Sequence, residues 1–116
     1  MSKVEPWRLK ELALLLDELT LILESGKNPE WAGVFRHFGQ ELELLSSTRP
    51  DNRAGLKKLV RSIGLCLDTG GGFSRLVLDV SDSDEGMAIS LRFGRLRVAL
   101  VEAVKDLGER IVEFMH

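Results

Sequence analysis

Apolar residues recur at three- and four-residue steps along most of this chain, and each run of them closes at a cluster of small or turn-forming residues. From Trp7 to Leu23 the positions Leu9, Leu12, Leu15, Leu16, Leu19, Ile22 and Leu23 share one side, while Lys10, Asp17 and Glu24 fall on others. That pattern predicts an amphipathic helix. Pro6 suits its first turn, and Gly26 is the residue expected just past its end. A second helix is predicted from Asn28-Pro29-Glu30, where Asn can cap, Pro presets the backbone and Glu complements the helix dipole. Its core face is Trp31, Phe35, Phe38, Leu42 and Leu45. Ser46-Ser47-Thr48-Arg49-Pro50 reads as a break, because Pro50 disfavours helical geometry at Arg49 and the hydroxyl side chains compete for backbone hydrogen bonds.

A third helix is predicted from about Asp51 to Leu67, burying Leu56, Leu59, Val60, Ile63 and Leu67, and it stops at Asp68-Thr69-Gly70-Gly71-Gly72. Phe73 to Val80 is ambiguous, since Leu76-Val77-Leu78 suits either an extended segment or a turn or two of helix. Ser81-Asp82-Ser83-Asp84-Glu85 then supplies the acid and hydroxyl groups that a helix start favours. The last helix runs from about Met87 to Met115, with Ile89, Phe93, Leu96, Leu100, Val104, Leu107, Ile111 and Phe114 on one stripe. Four helices, short connections and no internal repeat predict an all-α, four-helix bundle-like single domain over 1–116, with a Gly-rich link between helices 3 and 4. Gly33, Gly39, Gly55, Gly64, Gly94 and Gly108 fall inside predicted helices, where an exposed glycine costs about 1 kcal/mol against alanine. Close approach of helix backbones would explain them; so would marginal stability around a ligand-accessible site.

A chain of 116 residues, 44% hydrophobic, can bury a core without disulfides or a structural metal. Sixteen Lys+Arg against 18 Asp+Glu leave a net charge of −2, too little for the field that steers proteins onto nucleic acid or anionic membrane. Cys66 is the single cysteine; with two histidines it forms neither an internal disulfide nor a Cys/His zinc set, and a reducing cytoplasm fits it best. Charges at Lys3, Glu5, Arg8, Lys10 and Glu11, with Asp17 and Glu18 ending the run Leu12 to Leu16, predict neither a signal peptide nor a membrane span.

The segment Thr69-Gly70-Gly71-Gly72-Phe73-Ser74-Arg75-Leu76-Val77-Leu78 resembles the Gly-Gly-x-Gly-Ser-Phe-Asn-Asp-Leu-Val-Leu type segment of a family of small uncharacterised bacterial helical proteins. In that family a helix runs into the segment and a long final helix follows; Glu30-Trp31 and Phe35-Arg36-His37-Phe38 loosely echo its earlier helices. Ser74-Arg75 stand where Asn-Asp would be expected, which reverses a charge. The resemblance implies a helical fold and a bacterial cytoplasmic setting, and no reaction.

No complete catalytic, metal or nucleotide signature is present. Gly70, Gly71 and Gly72 could cradle a phosphate with Arg75 as charge partner, which makes small-ligand or phosphate-compound binding, conceivably catalytic, the alternative function. The turn lacks the Lys-Ser/Thr of a Walker loop and the strand that precedes a dinucleotide fingerprint, so a structural turn with left-handed glycines is the expectation. His37 and Glu41, four apart, could both touch one metal ion, but Glu30 lies about 10 Å further along the axis and no third ligand joins them. A solvated surface pair, with no metal and no cofactor, is expected. The acidic loop lacks the final Glu of a calcium loop, Phe93 standing twelfth from Asp82.

Charge asymmetry is sharpest at Arg53, Lys57, Lys58 and Arg61 on helix 3, with Arg92, Arg95 and Arg97 early in helix 4. If the two helices are neighbours these cations could line one face that binds a partner; the alternative is a solvated face answered by Asp79, Asp82, Asp84 and Glu85 in the adjoining loop. The absence of interleaved aromatics and of a helix-turn-helix disfavours nucleic acid. The expectation is therefore a non-enzymatic protein-interaction module, of the immunity-type or regulatory kind, whose partner presents an acidic surface. Finally, Trp7, Leu14 and Leu21 lie nearly opposite the core stripe of helix 1. Either the helix is sandwiched within its own bundle or a second chain covers this stripe, and a homodimer is expected.

Overall fold

A computed structural model describes residues 5–48, 53–68, 72–78 and 80–114. Four α-helices account for most of them: α1 (Pro6–Ser25), α2 (Pro29–Thr48), α3 (Arg53–Leu67) and α4 (Asp84–Phe114), with a short 3-10 turn (Gly72–Arg75) between α3 and α4. The fold is an all-α bundle. Its longest extent is 51 Å, close to the length of α4 alone, roughly 45 Å at 1.5 Å per residue. α1 packs on α2 and α4, and α3 packs on α4, α2 and the 3-10 turn.

The periodic apolar positions form the core. Leu12, Leu16, Leu19, Ile22 and Leu23 of α1 are buried with Phe35, Phe38 and Leu42 of α2, Leu56, Leu59, Val60 and Ile63 of α3, and Phe93, Leu96, Leu100, Val104, Leu107 and Ile111 of α4. Leu9, Leu15, Trp31, Leu45, Leu67 and Ile89 pack against it half-buried. Helix α2 runs to Thr48, through the first three residues of the expected Ser46–Pro50 break; Arg49 and Pro50 lie outside the described residues.

The ends show where local rules gave way. Helix α1 closes in a Schellman arrangement, with the Lys27 N–H donating to the Glu24 carbonyl (3.2 Å) and the Asn28 N–H to the Leu23 carbonyl (2.8 Å). The left-handed residue is Lys27, at φ 59°, and not Gly26, which sits at φ −86°. Gly26 is glycine for another reason. A Cβ there would stand 2.8 Å from Leu78 Cδ2, so the missing side chain makes room for the segment leading to α4. At the start of α4 the Ser83 hydroxyl accepts the Gly86 N–H (3.1 Å), and the Ser83 carbonyl accepts the Met87 N–H (3.0 Å), so the helix begins three residues before the expected Met87.

Glycines also face helix crossings. The Cβ position of Gly64 lies 3.9 Å from Val104 Cγ1, and that of Gly108 lies 4.0 Å from Val60 Cγ1, a reciprocal fit between α3 and α4. Gly39 meets Leu16 of α1 at 4.0 Å. A Cβ at Gly33 or Gly94 would meet nothing within 4 Å, so no contact among the described residues accounts for these two glycines.

Candidate interaction surfaces

The ambiguous segment after α3 is placed by tertiary packing. Phe73 is fully buried, with its ring centroid 4.6 Å from Phe35, 5.2 Å from Trp31 and 5.7 Å from Phe93. Arg97 of α4 closes the site from the other side: its guanidinium donates to the carbonyls of Phe73 (2.9 Å) and Leu76 (3.0 Å) and lies 4.7 Å over the Phe93 ring. The chain here presents carbonyl groups to a cation of its own. Gly72 and Arg75 are exposed at the turn, and Gly70 and Gly71 lie outside the described residues. No described glycine has a left-handed backbone.

The cations expected to form one face are divided. On α3, Lys57, Lys58 and Arg61 are exposed, and the Arg53 side chain lies outside what the structure describes. The arginines of α4 point elsewhere, although α3 and α4 are neighbours. Arg97 is committed to the Phe73–Leu76 clasp, and Arg92 turns to α1, where it meets Glu18 at 3.2 Å. Arg95 is exposed, and nine residues separate it from Val104, the residue facing α3. At about 100° per residue that places it on the opposite side of α4.

The remaining candidates lie apart. His37 Nε2 meets Glu41 Oε1 at 2.7 Å on the open side of α2, both groups in contact with solvent, and Arg36 pairs with Glu24 across the α1–α2 hairpin. Among the described residues no three His, Cys, Asp or Glu side chains gather closely enough to hold a metal ion. Cys66 is half-buried, and burial pushes its thiol pKa up, away from the thiolate a nucleophile requires.

Two helices carry outward apolar stripes. On α1, Trp7, Leu14 and Leu21 are each more than half exposed, so the chain's own bundle does not cover them. On α4, Met87, Leu91, Val98 and Val101 keep 60, 62, 60 and 44% of their surface in solvent. Leu65 stands out on α3 in the same way.

No protein family, curated protein or solved structure matches this chain. Its surfaces must therefore be read from their own chemistry. Sequence reasoning grouped Arg97 with Arg92 and Arg95 and missed the clasp; helix phase sets Arg97 beside the core positions Phe93 and Val104, but the carbonyls it holds belong to a segment distant in sequence. It also missed the α4 outer stripe, although the steps of four, three, four and three from Met87 through Leu91, Gly94 and Val98 to Val101 signalled it.

Proposed function

We propose that this chain is a non-enzymatic protein-interaction module of the immunity-type or regulatory kind, working in the cytoplasm, whose partner carries an acidic surface with an apolar recess. The observation that carries this reading is the outer face of α3. Leu65 is 65% exposed there, and Lys58 and Arg61 lie within about 40° of it around the helix, seven and four residues earlier. A large apolar side chain flanked by two cations suits a protein epitope, in which an anchor is buried and charges at the rim steer approach. A phosphate backbone would use the cations and leave the leucine in water. The lone half-buried cysteine fits a reducing compartment, and no helix among the described residues is long and apolar enough to cross a membrane.

Affinity capture from the source cells tests the reading, comparing wild type with Lys57→Glu/Lys58→Glu/Arg61→Glu and with Leu65→Ala. All four side chains project outward, so both variants should retain the wild-type circular dichroism. One stoichiometric protein held by wild type and lost from both variants is the expected result. Capture unchanged in both removes the α3 face from function.

A further inference from the structure

We propose that α4 binds α4 of a second copy of this chain, antiparallel, through the outward seam Met87, Leu91, Gly94, Val98 and Val101. The idea shares with the proposed function only the premise that outward apolar faces are binding faces. Its test uses purified protein alone, so its failure leaves the α3 reading standing.

The alternating four- and three-residue steps, continued by Lys105, are those of a two-helix seam, which a straight stripe of every seventh residue does not supply. The α1 stripe, Trp7, Leu14 and Leu21, is of that sparser kind, and its neighbours Glu18 and Glu24 already pair within the chain. Gly94 sits in the middle of the α4 seam. Its Cβ position meets nothing within 4 Å, so the chain gains no packing from the glycine, whereas an approaching helix would.

Charge selects both the partner and its direction. Along one edge of the seam run Ala88, Arg95, Glu102 and Glu109; along the other run Ser90, Arg97 and Val104. The second edge is committed to the bundle, with Val104 buried and Arg97 held by the Phe73 and Leu76 carbonyls. Parallel pairing sets each edge against the opposite one and leaves Arg95 and Glu102 without complementary partners. Antiparallel pairing sets the first edge against itself, bringing Arg95 to Glu102 of the second copy and Glu102 to its Arg95, two attractive contacts related by the two-fold axis. Both residues are exposed and neither has a polar partner among the described residues.

The same register layers Val98 on the second copy's Val101 and lays the Lys105 stem over its Gly94. Its centre falls between Ala99 and Leu100, close to the midpoint of α4 (Asp84–Phe114), so the two helices overlap along nearly their whole length. Such a seam, with its rim, falls at the lower end of specific interfaces, about 1,000–1,200 Å² in total, which suits a reversible dimer.

Sedimentation equilibrium on the purified full chain, from micromolar to millimolar concentration, tests the proposal. Wild type should dimerise with concentration. Val98→Glu should remain a monomer with unchanged helical circular dichroism. Arg95→Glu and Glu102→Arg should each weaken the dimer roughly tenfold by setting like charges opposite one another, and the double exchange Arg95→Glu/Glu102→Arg should restore it. A wild type monomeric throughout, a dimer that survives Val98→Glu, or one that ignores both single charge exchanges would overturn the proposal. So would a dimer abolished by Leu14→Lys/Leu21→Lys, which would assign the seam to α1.

Discussion

Arg95 and Arg97 stand two residues apart on one helix, carry the same guanidinium and have opposite fates. Arg97 is held from several sides: two carbonyls accept from its Nη1, the Phe73 and Phe93 rings lie within 5.8 and 4.7 Å of its guanidinium carbon, and the segment it holds contributes Phe73 to the core. Around Arg95 the helix is as regular and nearly as apolar, but Leu91 and Val98 face water and a Cβ at Gly94 would meet no atom within 4 Å. The inner side of α4 is satisfied by residues distant in sequence. The outer side holds a pattern that its own chain leaves uncovered. Periodicity therefore marks a face as apolar without saying whether the fold buries it.

The largest expected effect strikes the inner side. Phe73→Ala removes a fully buried ring packed against Trp31, Phe35 and Phe93, and should cost about 3–5 kcal/mol in urea denaturation. A loss no larger than that of an exposed site would show that the segment after α3 merely rests on the bundle.

The two arginines give the sharper test. Arg97→Met keeps the apolar stem and deletes the donors to Phe73 and Leu76, and should cost about 1–2 kcal/mol, whereas Arg95→Met should stay within about 0.5 kcal/mol at concentrations too low for association. Equal effects would erase the distinction between the two sides.

The smallest expected effect has the opposite sign. Gly94→Ala meets no atom within 4 Å and should raise monomer stability by up to about 1 kcal/mol through helix propensity alone, measured in dilute solution by thermal unfolding. A destabilised variant would mean that the outer side is occupied after all.

Helices and core were legible because they rest on local periodicity: Leu12, Phe35, Ile63 and Leu100 are buried where their spacing placed them. What was not legible depends on contacts between distant parts of the chain. Gly26 sits against Leu78, 52 residues further along, and the left-handed turn position falls to Lys27. The extended-or-helical ambiguity at Phe73 was settled by aromatic rings on α2 and α4, which no local window contains. Helix phase already sets Arg97 beside Val104 and Arg95 opposite it; the partners were what the sequence did not show, Glu18 for Arg92 and the Phe73 and Leu76 carbonyls for Arg97. The α4 outer stripe is equally local, its steps of four and three running beside the stronger core stripe of the same helix.

The Arg97 clasp also bears on how the chain meets a protease. Arg75 exposes its side chain in a segment that follows three glycines, which on its face is an inviting site for trypsin. Yet the bond to be cut joins Arg75 to Leu76, whose N–H is given to the Phe73 carbonyl and whose own carbonyl is held by Arg97. A protease needs that backbone extended and free. Cleavage after Arg75 must therefore wait until the clasp opens and Phe73 leaves the core, so its rate reports an opening of the bundle and not the looseness of a linker.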